Sequence, residues 1–218
     1  MSLSSDLFES LPARETTESL GPGAVVLRGF VRGAEQELLR EVTQITSVSP
    51  FRHLITPGGF EMSVAMTNCG EVGWVSDRTG YRYDPIDPLA QQPWPRMPDA
   101  FRKLALEAAA RGGYEAFEPD ACLINRYEPG TRLSLHRDYD EKDAAAPIVS
   151  VSLGVPAKFI WGGLRRNDPV QRIVLESGDV VVWGGESRFA YHGIAALPEN
   201  HHSLTGVQRI NLTFRKAR

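Results

Sequence analysis

Residues 133–138 carry the clearest chemical pattern in the chain. Their sequence is Leu-Ser-Leu-His-Arg-Asp, so one residue separates His136 from Asp138. In an extended strand, side chains two positions apart point to the same face, and an imidazole and a carboxylate placed together can bind one metal ion. A His-x-Asp pair also occurs in ordinary strands that hold no metal. The pair therefore indicates a metal site only if a third ligand lies nearby.

The best candidate for that third ligand is His192. It follows the apolar strand predicted at 179–183, which is a suitable position for a ligand at the open end of a sheet. The histidines at 53, 201 and 202 are interpreted as ordinary surface residues. Two histidines and one carboxylate with open coordination positions are typical of non-haem iron(II) oxygenases.

The last predicted strand, 207–215, adds a second pattern, because it alternates strictly between apolar and polar side chains. Its polar face consists of Arg209, Asn211, Thr213 and Arg215. This alternation fits an amphipathic strand with one solvated side. If the polar side instead faces the interior, its two arginines need anionic partners, because unpaired buried charge is costly. A dicarboxylate bound by two guanidinium groups would satisfy them.

These residues require strands that position them. Short strands are predicted at 24–30, 121–127, 133–138, 147–154, 157–161, 171–176, 179–183 and 207–215, and helices at 34–48 and from Asp99 to Gly112-Gly113. Asn125 and Tyr127 share one face of their strand. Two helices followed by a run of strands predict an α+β fold, mainly β, with a jelly-roll core and flanking helices.

The segment 50–98 differs in texture from the rest of the chain. It holds seven of the fifteen prolines together with six aromatic residues, Trp74, Tyr81 and Trp94 among them. Long irregular segments of this kind are often binding lids on a rigid scaffold. A structural insertion with a small aromatic core of its own fits equally well, and Trp94 is interpreted as a core residue of the segment.

Composition excludes several classes of protein. The chain has 218 residues, a net charge of −3 and no apolar run long enough for a membrane span. The two cysteines, Cys69 and Cys122, exclude a disulfide scaffold and are interpreted as packing residues. We therefore expect a cytoplasmic, monomeric protein without a membrane partner. A polar extension is predicted at 1–20 and a single domain at 21–218.

Taken together, the motifs resemble the iron(II)- and 2-oxoglutarate-dependent dioxygenase superfamily and, within it, the AlkB family of alkylation-repair enzymes. The resemblance runs from about residue 20 to the end of the chain. It is carried by the ligand and arginine patterns above and by the stretches 56–59, 62–70, 120–127, 133–136, 146–154, 162–164, 178–188 and 211–215.

The resemblance implies a double-stranded β-helix (jelly-roll) core with 50–98 as the nucleotide-recognition lid. It implies that His136, Asp138 and His192 bind iron(II). The 2-oxoglutarate residues would be Asn125, Tyr127, Arg209, Asn211 and Arg215, with Arg215 forming a bidentate pair with one carboxylate. Substrate contacts would come from Trp74, Tyr81, Asp140 and Arg166.

The implied activity is oxidative demethylation of N-alkylated bases such as 1-methyladenine and 3-methylcytosine. The substrate would be alkylated DNA, preferably single-stranded, or RNA, and the reaction would consume O2 and 2-oxoglutarate and release formaldehyde. Because such an atom lies within the base stack, the base must be extruded or already unpaired. Two alternatives remain open from the residues. One is a 2-oxoglutarate oxygenase that acts on RNA, a protein or a small metabolite. The other is a nucleic-acid-binding module without activity.

Overall fold

The computed structural model describes residues 16–218, which form sixteen strands, two α-helices and a short 3-10 helix at 185–187. Most of the predicted strands are confirmed to within two residues. In chain order the elements are β1 Thr16–Gly21, β2 Ala24–Arg28, α1 Glu35–Val48, β3 Arg52–Ile55, β4 Glu61–Gly70, β5 Gly73–Asp77, β6 Gly80–Asp84, β7 Ile86–Asp87, β8 Gln92–Pro93, α2 Asp99–Arg111, β9 Ala121–Tyr127, β10 Leu133–His136, β11 Ile148–Gly154, β12 Ala157–Trp161, β13 Gln171–Leu175, β14 Val180–Trp183, β15 His192–Ile194 and β16 Arg209–Arg215.

The strands build a large and a small antiparallel sheet. The large sheet has eight strands in the order β1-β2-β14-β11-β16-β9-β4-β3, and the small sheet has four in the order β10-β15-β12-β13. Two separate hairpins, β5–β6 and β7–β8, complete the described chain. Neither α1 nor α2, nor any other helix within 16–218, is long and apolar enough to cross a membrane.

Strand alternation divides the apolar residues between the two faces of the large sheet. Leu212 and Phe214 of β16 pack with Phe101 and Leu104 of α2 on the outer face. On the inner face, Trp183 of β14 packs with residues of the small sheet. The helices thus cover one face, as predicted, while the other face lies against the small sheet. The polar side of β16 is consequently buried between the sheets.

One sequence-based expectation is corrected, and the structure adds detail to a second. The segment 50–98 is not largely irregular, because it contains six strands, and β3 and β4 pair into the large sheet. Only the part after β4, with its two hairpins, lies outside that sheet. The predicted extension at 1–20 overlaps β1, which pairs with β2 from Thr16 onward. The rest of that extension, residues 1–15, lies outside the described residues.

Candidate active site

His136, Asp138 and His192 converge at one point between the sheets. Each offers a ligand atom, and the three atoms lie within 4.8 Å of one another. His136 ends β10 and His192 begins β15, and the two residues are direct cross-strand partners. A Cβ at Gly193 would lie only 2.7 Å from the Leu133 carbonyl oxygen, so a glycine after His192 allows this close approach of β10.

Asp138 reaches the site differently from the prediction. The strand predicted over 133–138 ends at His136, so Asp138 belongs to the connection that follows it. The inward direction nevertheless persists: Asp138 is 9% exposed, whereas Arg137 and Tyr139 on either side of it are exposed. The conclusion about the shared face holds, although the regular strand does not extend that far.

Backbone carbonyls orient both imidazole rings. The Nδ1 atom of His136 lies 2.8 Å from the Ser134 oxygen, and that of His192 lies 3.0 Å from the Ala190 oxygen. Each ring therefore presents its Nε2 atom as the available ligand, which is the usual arrangement for metal-binding histidines. Burial lowers the pKa of His192 to about 4, so the ring is neutral at physiological pH, as metal binding requires.

The third ligand, Asp138, is held ionised by its neighbours. Burial by itself raises the pKa of this carboxyl, but the Arg215 guanidinium holds it well below its usual range. Arg215 donates from Nε and Nη2 to the same Asp138 oxygen, at 2.9 and 2.7 Å. The other oxygen, Oδ1, lies 3.7 Å from His136 Nε2. Asp138 thus keeps one oxygen on the side of the histidines.

A buried network extends from Arg215 to the β5–β6 hairpin. Arg215 Nε lies 3.4 Å from Glu141, whose side chain is only 3% exposed. Tyr83 of β6 donates to Glu141 Oε1 at 2.5 Å, and Arg188 Nη2 donates to Oε2 at 3.0 Å. Sequence reasoning missed Glu141, Tyr83 and Arg188. Their partners lie far apart along the chain, so no local pattern marks them.

The polar face of β16 also includes Arg209, which, unlike Arg215, has no carboxylate partner in the described chain. Arg209 is 1% exposed, and its only hydrogen-bond donor with a partner in the described chain is Nη2, which binds the Ser152 hydroxyl at 3.0 Å. The Nε and Nη1 atoms of Arg209 have no hydrogen-bond partner within residues 16–218. Its guanidinium carbon lies 5.0 Å from the centre of the Tyr127 ring. Burial lowers the pKa of this guanidinium, a sign that the charge is poorly compensated.

Two buried amides, Asn125 and Asn211, form a hydrogen-bonded group between the same strands. Asn125 Nδ2 donates to Asn211 Oδ1 at 3.2 Å, and Asn211 Nδ2 donates to Ser150 Oγ and to the Val151 oxygen at 2.9 Å each. Asn125, Tyr127, Arg209, Asn211 and Arg215 all line one cavity with the three candidate ligands. The structure therefore brings together every residue that the sequence assigned to the metal and to 2-oxoglutarate.

That cavity has a volume of about 740 Å³ and reaches the surface beside the β5–β6 hairpin. At this mouth Trp74 of β5 stacks on Tyr81 of β6, with ring centroids 5.5 Å apart and an interplanar angle of 13°. The indole Nε1 of Trp74 donates to Asp140 Oδ2 at 2.8 Å. Three of the four predicted substrate residues thus form one cluster. The fourth, Arg166, donates to the Leu135 oxygen at 2.9 Å and is not among the residues that line the cavity.

Trp94, Cys69 and Cys122 have the structural roles that were predicted. Trp94 is 6% exposed, and its indole Nε1 donates to the Asp84 oxygen. Both cysteines are buried, free and directly opposite each other on β4 and β9. None of the three lines the cavity.

The donor set fits iron(II) and 2-oxoglutarate. Two imidazoles that present Nε2 and one carboxylate, with space around them, suit a catalytic iron(II) ion. The unpaired Nε and Nη1 of buried Arg209 suit a carboxylate. A jelly roll that holds such a site is the architecture of an iron(II)- and 2-oxoglutarate-dependent dioxygenase. The family model for the 2OG-Fe(II) oxygenase superfamily matches residues 23–215.

The similarity to known proteins extends further. Alpha-ketoglutarate-dependent dioxygenase AlkB of Escherichia coli (strain K12) is 58% identical over 212 residues, which cover 97% of each chain. DNA N(6)-methyladenine demethylase ALKBH1C of Arabidopsis thaliana is 32% identical over 231 residues, which cover 89% of this chain and 48% of that protein. The solved structure of OsALKBH1 is similar with a TM-score of 0.80 at 28% identity and covers 92% of this chain and 100% of that one. The chain belongs to the AlkB family of 2-oxoglutarate-dependent dioxygenases.

Proposed function

We propose that the protein removes alkyl groups from ring nitrogens of nucleobases, such as 1-methyladenine and 3-methylcytosine, in single-stranded DNA and also in RNA. One observation carries the proposal: a single cavity joins the His136–Asp138–His192 cluster and buried Arg209 to a stacked aromatic pair at its mouth. The proteins to which the chain is similar, a dioxygenase and a DNA demethylase by name, support it.

When bound, iron(II), 2-oxoglutarate and O2 supply the oxidation of an N-methyl group, which leaves the base as formaldehyde while succinate and carbon dioxide form. We assign the metal to His136, Asp138 and His192. Arg209, rather than Arg215, is the stronger candidate for a fork with a carboxylate of 2-oxoglutarate, because Arg215 already donates to Asp138. Tyr127, Asn125 and Asn211 line the same cavity and would orient the co-substrate.

At the mouth, we assign recognition of the base to Trp74, Tyr81 and Asp140. A base stacked on an aromatic ring gains about 1–3 kcal/mol, and Trp74 and Tyr81 both line the cavity. Methylation at N1 of adenine or N3 of cytosine leaves a cationic ring, so the exposed Asp140 carboxylate would favour the alkylated base over the normal one. Arg166, outside the cavity, is assigned to the strand beyond the base.

The proposal also includes a single domain over 21–218, with 50–98 as the part that recognises the nucleotide. We propose that the protein acts as a monomer in the cytoplasm. The two free thiols on paired strands fit a reducing compartment. Light scattering of the purified protein tests the oligomeric state.

The test combines the protein with iron(II), 2-oxoglutarate, O2 and a single-stranded oligonucleotide that carries one 1-methyladenine. We expect the oligonucleotide to lose the mass of one CH2 group, with formaldehyde and succinate released in equal amounts. The unmethylated oligonucleotide is the matched control. Succinate release that is the same with both oligonucleotides, without loss of mass, would contradict the proposal and favour a different substrate.

A further inference from the structure

A second set of aromatic and arginine side chains lies at the edge of the cavity and on the surface next to it, on the side of the metal ligands. We call it the arginine–tyrosine rim and define it as Arg137, Tyr139, Arg166, Phe189 and Tyr191. The Arg137 guanidinium carbon lies 5.0 Å from the Tyr139 ring centre and 5.5 Å from that of Tyr191. Arg166 lies 5.9 Å from the Tyr191 ring, and Phe189 lies 5.6 Å from the Tyr139 ring. Rings and guanidinium groups therefore form one continuous series of contacts, from Phe189 through Tyr139, Arg137 and Tyr191 to Arg166.

The position of the rim follows from the way the metal ligands are built. His136 and Asp138 point inward, so the intervening Arg137 and the following Tyr139 point outward. Both Arg137 and Tyr139 contribute to the lining of the cavity where it opens. A base that reaches the ligands therefore brings its neighbouring nucleotides toward this surface.

Exposure and charge distinguish the rim from an ordinary hydrophobic surface. Tyr139 is 66% exposed, although Arg137 and Phe189 support its ring. No carboxylate lies within 4.0 Å of the guanidinium group of Arg137 or Arg166 among residues 16–218, whereas the neighbouring Arg165 is paired with Asp168. The rim thus presents a ring already fixed in place beside two positive charges without a carboxylate partner. This combination is complementary to a chain of bases and phosphates.

We propose that the rim binds the nucleic-acid strand next to the target nucleotide. A flanking base stacks on Tyr139, and backbone phosphates contact Arg137 and Arg166. This inference rests on the proposed function and deepens it, since it identifies the surface that holds the strand. Aromatic stacking and arginine contacts to phosphates are the usual means of binding a single strand without sequence preference. With a net charge of −3, the protein depends on such local contacts.

Binding to an unmethylated single-stranded oligonucleotide tests the rim without any requirement for catalysis. Fluorescence anisotropy on the full chain compares the wild type with Tyr139→Ala and Arg137→Ala. Tyr139→Ala should weaken binding about 5-fold to 160-fold, the range for the loss of one stacked base, and Tyr139→Phe should restore it. Arg137→Ala should lower the slope of log affinity against log salt by about 0.7, the value for one phosphate contact on a single strand.

Arg96→Ala is the matched control, because Arg96 has a 91% exposed side chain and lies outside both the rim and the cavity. Its affinity and salt slope should equal those of the wild type. In turnover, Tyr139→Ala should raise the KM for a methylated oligonucleotide at unchanged kcat. It should not alter the KM for methylated adenosine monophosphate, which lacks the flanking base that stacks on Tyr139.

The outcomes separate this inference from the proposed function. If the wild type demethylates the oligonucleotide but Tyr139→Ala and Arg137→Ala bind as tightly as Arg96→Ala, the rim inference is wrong and the proposed function stands. If the wild type binds the oligonucleotide through the rim but releases no formaldehyde, the proposed function is wrong and the rim stands. A wild type that binds no oligonucleotide overturns the rim inference, and the surface is then better suited to a protein partner.

Discussion

The two ends of the cavity are built in opposite ways. At the floor, His192, Arg209 and Arg215 are 6%, 1% and 7% exposed and lie on paired strands backed by the apolar core. At the mouth, Tyr81 and Tyr139 are 46% and 66% exposed and lie on a two-stranded hairpin and a connecting segment. Strand pairing and many buried neighbours fix the positions of the side chains at the floor. At the mouth, only a few side-chain contacts do so.

This difference teaches where each part of the function resides. Groups that must meet within a few tenths of an ångström lie where strand register and packing hold them. Side chains that contact the nucleotides around a target base must tolerate different nucleotide sequences. They lie where one contact can be lost while the protein remains folded. Changes at the floor should therefore abolish activity, and changes at the mouth should alter affinity and selectivity.

The largest effect is expected from the floor. His136→Ala removes one of the three candidate ligands, and its ring is partly exposed, so the fold should persist. We expect no detectable formaldehyde release and loss of tight iron(II) binding, measured by metal titration, with an unchanged circular dichroism spectrum. Tyr81→Phe, which keeps the mouth aromatic, is the control that should retain turnover. Substantial turnover by His136→Ala would show that the cluster does not hold the catalytic metal.

The two arginines of β16 should respond differently. Arg209→Met removes a buried charge that lacks a carboxylate partner in the described chain, so the apo protein should be as stable as the wild type or more stable. The Arg209→Met variant should also no longer be stabilised by 2-oxoglutarate. In the metal-bound wild type, 2-oxoglutarate at 100 times its Kd should raise the free energy of unfolding by about 2.7 kcal/mol. Thermal unfolding with and without 2-oxoglutarate measures both effects.

Arg215→Met is the comparison, because it leaves Asp138 without its arginine, while Glu141, of its two arginines, keeps only Arg188. We expect it to destabilise the apo protein by about 3–5 kcal/mol, the cost of an uncompensated buried charge. If instead Arg209→Met destabilises the apo protein and keeps the response to 2-oxoglutarate, the assignment of Arg209 to the co-substrate is wrong.

At the mouth, Trp74→Ala removes the ring that stacks on Tyr81. Binding of a methylated oligonucleotide should weaken by about 1–3 kcal/mol. Slow succinate release without an oligonucleotide should not change, because the indole does not belong to the floor. Trp74→Phe keeps a ring but loses the N–H donor to Asp140, so it separates stacking from the hydrogen bond. Equal stimulation of wild type and Trp74→Ala by the oligonucleotide would exclude Trp74 from recognition.

The smallest effect concerns how the segment with both hairpins is attached to the large sheet. Asp87 of β7 is buried and accepts hydrogen bonds from Ser49 and Arg52. Burial raises the pKa of Asp87, but these hydrogen bonds and one from the Leu89 backbone outweigh it and lower the pKa from 3.8 to about 2.

Because the pKa of Asp87 is lower in the folded state, the native protein binds fewer protons than the unfolded chain between these values. The contribution to stability is complete above pH 3.8 and is lost as the pH falls toward 2. With allowance for solvent screening it amounts to about 1–2 kcal/mol. Urea unfolding of wild type and Asp87→Asn across this range measures it. A difference between the two that does not depend on pH would contradict this account.

Local patterns predicted the floor better than the mouth. The alternation of β16 correctly placed Arg209 and Asn211 opposite Ile210 and Leu212, because a period of two is fixed by strand geometry. The predicted bounds of the strands at 121–127 and 157–161 are confirmed. Whether the polar face of β16 points to solvent or to the interior depends on the small sheet that covers it. Sequence periodicity does not show that this second sheet lies there.

The mouth was less predictable because its contacts are remote in sequence. The prolines and glycines in 50–98 suggested an irregular segment. In the structure they mostly lie at or near the ends of strands, and β4, with ten residues, is part of the large sheet. The bond from Trp74 to Asp140 spans 66 positions, and that from Tyr83 to Glu141 spans 58. Side chains that meet over such separations leave no periodic signal in either segment.

The buried network of Tyr83, Glu141, Arg215 and Asp138 has a consequence for energetic coupling between the two ends of the cavity. Tyr83 lies on the hairpin strand that carries Tyr81, and Asp138 is a candidate metal ligand. If the hairpin moves and the hydrogen bond from Tyr83 to Glu141 breaks, Glu141 keeps only its contacts with Arg188 and Arg215. The stronger pull of Glu141 on Arg215 then weakens the contact between Arg215 and Asp138. Thermodynamic linkage requires such an effect to be reciprocal. A strand bound at the mouth would then change the affinity for the metal by the same factor by which the metal changes the affinity for the strand.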